Sequence, residues 1–467
     1  MLFHTNSFFA FFLAVFVVFW SLPKQQWRLW WILIASCAFY MSWNPWFIAL
    51  ILFSTSIDYL AARMIDGTGS QRWRRGWLLG SIAVNLGILS VFKYANFFLQ
   101  TVHSTAGCFG LPLPIGTLQV LVPLGISFYT FEAISYVVDV YRKKRAALRS
   151  PLDYGVYILF FPHLIAGPIV RSHDFLPQLH RLRKLSAPRV LLGVRLFLFG
   201  LFQKVALADN LAALVDPVFA HPADYESLSI WLALLSYTIQ IYCDFAGYSS
   251  MAIGLAHLLG FRLPQNFNRP YLAASLGEFW RRWHITLGTW MRDYLFIPLG
   301  GSRGGTLATC RNLLVTFALC GLWHGASWNY IVWGFSHGVI LCGERLARLP
   351  AWAGQRALRP LFVLWTFFLI NLTMVFVRAQ SLTDACVVYG RLFRFAGGQA
   401  LSRELLVAGT VGVAGVLGVM VLSEAIRWRR LALRLPSPLQ GALLASVIVA
   451  VMLLWPEDNK QFIYFQF

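Results

Sequence analysis

The sequence predicts an all-helical protein that crosses a membrane many times, and three observations predict it. Of 467 residues, 58% are hydrophobic and only 12% are charged, where a soluble domain carries about a quarter charged. Apolar runs of 14 to 23 residues recur from end to end, each close to the roughly 20 residues a helix needs to cross about 30 Å of hydrocarbon. The basic residues gather in short stretches between those runs, which marks cytoplasmic loops.

The net charge of +20 comes from 39 Lys and Arg against 19 Asp and Glu. With no soluble basic domain to carry it, that excess sets topology and does not point to nucleic acid. Seven cysteines are scattered with no CxxC pair, which excludes a zinc framework and a disulfide scaffold. The first residues, MLFHTNSFFAFFLAVFVVFW, lack a basic n-region and a small-residue cleavage site, so they read as a first membrane helix and not as a signal peptide.

Taken in order, helices are expected near 8–22, 29–42, 46–62, 77–99 and 118–140, with the N-terminus outside. The basic segments 63–75 and 142–149 lie inside, and the uncharged stretch 100–117 forms an outer loop. Residues 154–170 (YGVYILFFPHLIAGPIV) break the alternation, because a full crossing would place the basic stretch 171–189 outside. Pro162, Gly167 and Pro168 interrupt that helix, so a re-entrant or interfacial element is expected, buried in protein or lining a wet cavity. Helices near 190–208 and 228–250 flank an acidic outer loop. Residues 261–311, with seven arginines and two acids, read as short helices at the inner face. A helical hairpin follows at 312–343. Later spans are expected near 361–377, 405–423 and 439–455, with the basic RWRRLALR (427–434) inside. The total is about 12 crossings in one domain, which subdivides into N-terminal helices (1–150), a re-entrant and central core (151–345) and C-terminal helices (346–467). No internal repeat of the kind that builds transporters is visible.

His324 sits in CGLWHGASWN (320–329), within the hairpin and about 18 Å from its cytoplasmic end at 1.5 Å per residue. An ionisable group at membrane depth is by default a functional hypothesis. Surrounded by Trp323, Trp328 and Trp333, its imidazole should stay neutral, since burial disfavours the charged form. A neutral imidazole is what a general base requires; a structural histidine bonded between helices fits the local sequence equally. His284, in EFWRRWHITLGTW, follows Arg281 and Arg282, whose guanidinium groups suit phosphate oxygens or lipid headgroups. The glycine run 300–305 reads as a turn, since it lacks a P-loop pattern. No HExxH and no G-x-S-x-G occurs, which argues against a metalloenzyme and an α/β-hydrolase nucleophile. The membrane-depth residues Lys93, Glu132, Asp139, Arg195 and Lys204 need polar partners, as a transport protein's interior would also show.

Six stretches in order carry a resemblance: LVPLGISFYTFEAISYVVDVYR (121–142), FFPHLIAGPIVR (160–171), IYCDFAGYSSMAIGLAHLLGFRLPQNFNRPYL (241–272), EFWRRWHITLGTWMRDYLFIPLGG (278–301), CGLWHGASWNYIVWGFSHG (320–338) and FIYFQF (462–467). Together they resemble the bacterial polysaccharide branch of the membrane-bound O-acyltransferase family over nearly the whole chain. The resemblance implies a ring of helices around a thin centre with funnels to both faces. It implies catalytic histidines at the W-H-G motif, His324, and at R-W-H, His284, with Arg281 and Arg282 as donor-phosphate contacts and no metal. It implies acetyl-CoA as the donor, with no permanently bound cofactor, a bacterial inner-membrane location, an exported polysaccharide acceptor of alginate or cellulose type, and a periplasmic acyltransferase partner. Peptidoglycan O-acetylation and teichoic-acid D-alanylation are related alternatives, as is a conduit that passes acyl groups without covalent chemistry. Whether His324 acts as base or carries the acyl group stays open at this point.

Overall fold

The computed structural model describes residues 1–111, 116–394, 397–426, 436–456 and 461–463. Among them the fold is helical, and the one β-type pairing is an isolated bridge between Tyr225 and Gln399. Among the described residues seven helices are long and apolar enough to cross a membrane, and two shorter apolar helices, Asn6–Ser21 and Ser437–Leu453, accompany them. The protein is a multi-pass membrane protein. Its described residues form two compact units, Met1–Val194 with Ala252–Pro264, and Arg195–Met251 with Gln265–Phe467.

The first unit contains α1 (Asn6–Ser21), α2 (Gln25–Met41), α3 (Phe47–Gly67), α4 (Gln71–Leu89) and α5 (Ala95–Cys108), with a π-helical turn at Ser90–Tyr94 joining the last two. The expected helix near 77–99 is therefore longer at both ends. Nothing between Thr101 and Ala106 breaks a helix, and the stretch expected as an outer loop begins as helix. In contrast, the expected helix 118–140 starts only at α6 (Ile126–Tyr141). Gly125 has φ +75, and a Cβ there would stand 2.5 Å from the Leu164 carbonyl oxygen, so the chain must turn on a glycine before the helix can begin.

The interrupted stretch 154–170 is broken as expected. It forms α7 (Pro151–Leu159) and the one-turn α8 (Phe161–Leu164), then runs irregularly to α9 (Ser172–Phe175). Irregular backbone away from water needs internal partners, and here buried side chains provide them. Glu132 of α6 accepts the Val170 N–H at 2.7 Å and lies 3.2 Å from His163 Nδ1. The Tyr157 hydroxyl donates to the Val170 carbonyl at 2.9 Å. The other charges expected at depth are also partnered within their units: Lys93 reaches the Ser127 hydroxyl, Asp139 pairs with Lys144, and Arg195 donates to Gln440.

In the chain order that follows, α10 (Ala187–Leu201) continues through a π-helical segment, Phe202–Ala208, into α11 (Asp209–Ala220). The expected acidic outer loop at 209 is thus delayed by a further helix. The π segment aims Lys204 inward, where it binds Asp209 at 2.8 Å and Asp244 at 2.6 Å; a buried cation is tolerated when paired this way. Next come α12 (Ser227–Leu258), the short helices α13 (Leu276–Arg282) and α14 (Ile285–Met291), and the pair α15 (Gly305–His324) and α16 (Trp328–Leu346). After the one-turn α17 (Leu349–Ala353), α18 (Arg359–Arg378), α20 (Arg403–Ala425) and α21 (Ser437–Leu453) match the later expected spans, whereas α19 (Leu382–Arg394) is an amphipathic helix the sequence reading missed. Its polar residues Asp384, Arg391 and Arg394 interrupt the apolar run, which hid it from a search for spans. The segment RWRRLALR and the last four residues of FIYFQF lie outside the described residues.

Candidate active site

Three glycines set the position of His324, all within the second unit. In the α15–α16 hairpin a Cβ on Gly321 would lie 2.1 Å from the Tyr330 carbonyl oxygen, and one on Gly334 would lie 2.1 Å from that of Phe317. The two helices touch backbone to backbone there, and only glycine permits it. Gly325 ends α15 against the Tyr330 ring, 2.2 Å from where a Cβ would stand. His324 is consequently the last residue of a 20-residue helix, about 30 Å long. It is 6% exposed. The Trp323 and Trp333 rings each stand edge-on with centroids 5.0 Å away. Trp328, expected in this wall, is half exposed at the start of α16. A further neighbour is His284, whose ring centroid is 6.4 Å from that of His324.

His284 is held by the turn between α13 and α14. Ser275 and Glu278 form a capping pair at the start of α13: the Ser275 hydroxyl accepts the Glu278 N–H, and the Glu278 carboxylate accepts the Ala274 N–H. Glu344 of α16 takes the N–H groups of Leu276 and Gly277, which ties this short helix to the hairpin. His284 then adopts φ +41, a conformation a non-glycine residue takes only when its surroundings impose it. They do so through Asn266. Its backbone carbonyl accepts the Ile285 N–H at 2.9 Å. Its side-chain oxygen accepts the Thr286 N–H at 3.3 Å and the Thr286 hydroxyl at 2.9 Å, and lies 3.2 Å from His284 Nδ1. An oxygen already accepting two donors requires Nδ1 to donate as well, so the proton sits on Nδ1 and Nε2 keeps its lone pair. Burial pushes the imidazole down to about 3, so it is neutral at physiological pH. The Phe245 ring closes one side, 4.7 Å away and perpendicular.

A third histidine, unremarked in the sequence, supports the wall. His337 of α16 accepts the Trp280 indole N–H on Nδ1 at 3.1 Å and lies 2.9 Å from the Thr373 hydroxyl on Nε2. Its ring stands 4.9 Å from Trp333, so it holds in place both Trp280 and the tryptophan facing His324. The signal was available: Trp333 and His337 are four residues apart and share one helix face.

Beside this cluster lies a cavity of about 400 Å³, whose lining includes Trp280, Arg281, Leu287, Arg292, Thr316 and Cys320. Cys320 precedes His324 by one helical turn, so the cavity approaches the histidine pair. The structure separates the two candidate arginines. Arg281 lines the cavity, whereas Arg282 is engaged by Glu278 at 2.8 Å, and Arg359 joins the same carboxylate at 2.9 Å. Arg292, not singled out from sequence, joins Arg281 at the cavity.

The second unit thus brings two buried histidines together beside an arginine-bearing cavity. The family model for the membrane-bound O-acyltransferase family matches residues 144–374, a span containing both histidines, the cavity and the interrupted element. The chain is 42% identical to the probable alginate O-acetylase AlgI of Pseudomonas aeruginosa over 91% of its own length and 81% of the relative's. It is 36% identical to the peptidoglycan O-acetyltransferase of Helicobacter pylori over 77% and 72%, and 29% identical to the teichoic acid D-alanyltransferase of Bacillus subtilis over 47% and 58%. The chain belongs to the membrane-bound O-acyltransferase family and is an O-acyltransferase.

Proposed function

We propose that this protein transfers acetyl groups from cytoplasmic acetyl-CoA, across the bacterial inner membrane, for the O-acetylation of an exported polysaccharide of the alginate or cellulose type. A separate periplasmic acyltransferase completes the transfer onto sugar. This reading takes the family's helical ring of about 12 crossings, with funnels to both faces, as its architecture. The observation that carries it is the juxtaposition of His324 and His284, 6.4 Å apart, inside a tryptophan wall and one turn from an arginine-lined cavity. Similarity in length and identity to the alginate O-acetylases favours acetyl transfer over D-alanyl transfer.

The donor's phosphates dock on Arg281 and Arg292, and its pantetheine arm lies along the apolar cavity. His324 takes the proton of the accepting hydroxyl as its oxygen attacks the thioester carbonyl. The carbon–sulfur bond breaks, and the departing thiolate takes the proton back from the imidazole. His284, with Nδ1 committed to Asn266, presents an accepting Nε2 that orients the hydroxyl or the imidazole beside it. The tryptophans exclude water, which would otherwise hydrolyse the thioester.

The test is to feed inverted membrane vesicles acetyl-CoA labelled in the acetyl group, with polymer and partner present. Label is then measured in each polymer fraction after mild-base release. Label in an alginate- or cellulose-type fraction that depends on this protein supports the proposal. Label only in peptidoglycan, or transfer only from a carrier protein, contradicts it.

A further inference from the structure

The first unit carries a cluster of positive charge that the acyl-transfer reading does not use. At the end of α12 the chain turns back through Gly260 (φ +86), with the Gly260 N–H bonded to the His257 carbonyl and the Phe261 N–H to that of Ala256. This is the glycine-terminated helix end expected where a left-handed residue is required. The bare glycine face is covered by two arginines: a Cβ there would stand 3.1 Å from Arg183 Cδ and 3.5 Å from an Arg189 guanidinium nitrogen. Arg189 donates to the Gly260 carbonyl at 3.2 Å. Arg262 follows two residues on, its backbone clasped by Gln178 through two hydrogen bonds.

Among the described residues no carboxylate pairs with Arg181, Arg183, Arg189 or Arg262. The nearby acids are engaged elsewhere, Asp153 with His180 at 3.1 Å and Asp174 with His173 at 3.4 Å. Burial, and then the like charges of Arg189, Arg262 and Arg181, hold the Arg183 guanidinium below its ordinary value. Arg183 Nε and His257 Nδ1 are buried and bond to no protein atom among the described residues. Cations that repel each other and keep free donors form a receptor for a multidentate anion, and phosphate is the anion whose oxygens match guanidinium groups.

The surroundings select the kind of phosphate. The α1–α2 turn lies at the same end of this unit, where Arg28 donates to the Arg183 carbonyl at 2.7 Å and Gln25 to that of Leu179 at 2.6 Å. Trp27 and Trp30 are each 49% exposed, and Leu182 and Leu185 are more than half exposed. Aromatic and apolar side chains bordering basic ones are the pattern of a membrane–water interface, and basic pockets at the cytoplasmic ends of membrane helices suit anionic headgroups. We propose that Arg183, Arg189 and Arg262, with His257, bind the phosphate of an anionic phospholipid headgroup at the cytoplasmic face.

The test is native mass spectrometry of the full-length protein in mild detergent, titrated with phosphatidylglycerol. Three forms are compared: wild type, the triple variant Arg183→Gln, Arg189→Gln, Arg262→Gln, and a control that removes three other loop charges, Arg142→Gln, Lys143→Gln, Lys144→Gln. The site variant should bind roughly fivefold more weakly per arginine removed, about a hundredfold in all, while the control keeps wild-type affinity. Equal weakening in both triples would reduce the effect to general surface charge and overturn the site, as would unchanged binding in the first. Should the triple variant fail to fold, the exposed Arg262→Gln alone should lose about fivefold, and no loss there refutes the proposal. Inorganic phosphate and coenzyme A are added as competitors. Displacement of the lipid by either at matched concentration would assign the site to a soluble phosphate ligand and end the lipid assignment.

Discussion

Replacing Gly334 by alanine should inactivate the enzyme without touching either histidine. A Cβ at this position would lie 2.1 Å from the Phe317 carbonyl oxygen, and ordinary contact begins near 3.4 Å. Because the obstacle is backbone, α15 and α16 must part by about 1.3 Å, the difference between those distances. His324 ends α15 and Trp333 adjoins Gly334 on α16, so the parting is applied directly across their 5.0 Å ring contact. Misplacement of a catalytic group by about 1 Å costs on the order of a hundredfold in rate. We expect kcat for acetyl transfer to fall about a hundredfold, with the protein still present in the membrane. Gly343→Ala is the internal control, since a Cβ there meets nothing within 4 Å on the same helix and helix propensity favours it by about 0.5–1 kcal/mol. Rates measured in membrane vesicles at matched protein levels decide it. Equal, near wild-type activity for the two variants would refute the argument that the glycine contact places His324.

Further expectations follow from the same site. Asn266→Ala leaves His284 Nδ1 and the Thr286 N–H without their acceptor in a buried setting, which should destabilise the protein by about 2–4 kcal/mol and lower its melting temperature, whereas Asn266→Asp, which keeps the acceptor, should lose less. Arg281→Gln should raise KM for acetyl-CoA about tenfold or more with kcat nearly unchanged, the worth of one charged hydrogen bond. Arg282→Gln, which breaks the pair with Glu278, should leave KM alone and cost about 1 kcal/mol of stability. The pH response has a defined sign. With the folded His284 held near 3 and an unfolded value of about 6.5, its contribution is fully present above about 6.5 and is lost as pH falls toward 3, by up to about 1.4 kcal/mol per unit. Thermal unfolding should therefore move to lower temperature below pH 6.5, less steeply in His284→Gln.

The helical class and most spans were legible because composition and the placement of arginine act locally along the chain. Legible too were the break at 154–170, announced by Pro162, and the short helices around His284, announced by charge and aromatic density. What stayed hidden depends on contacts between distant residues. Gly125 reads as an ordinary glycine until the Leu164 carbonyl is seen against it, so α6 was drawn too early. The start of α15 at Gly305, well before the apolar run begins, was hidden too, and it makes His324 the last residue of that helix. Arg281 and Arg282 differ by a signal the sequence does carry, since Glu278 lies four residues before Arg282 on the same helix face and engages it, whereas the second partner of Glu278, Arg359, comes from far along the chain. Asn266 and His337 carry no motif of their own, and their importance appears only where a hydrogen bond fixes the neighbouring ring.

The most direct test of the account is the replacement of His324 by glutamine, which is similar in size and cannot act as a base. Cells expressing wild type or His324→Gln are compared for ester-linked acetate released by mild base from the exported polymer, with membrane levels and melting temperature of both proteins measured alongside. Acetate at background in the variant, with a stable, correctly inserted protein, is the expected result. Acetate at the wild-type level would contradict it, and would mean that His324 packs the tryptophan wall while the transfer chemistry lies elsewhere.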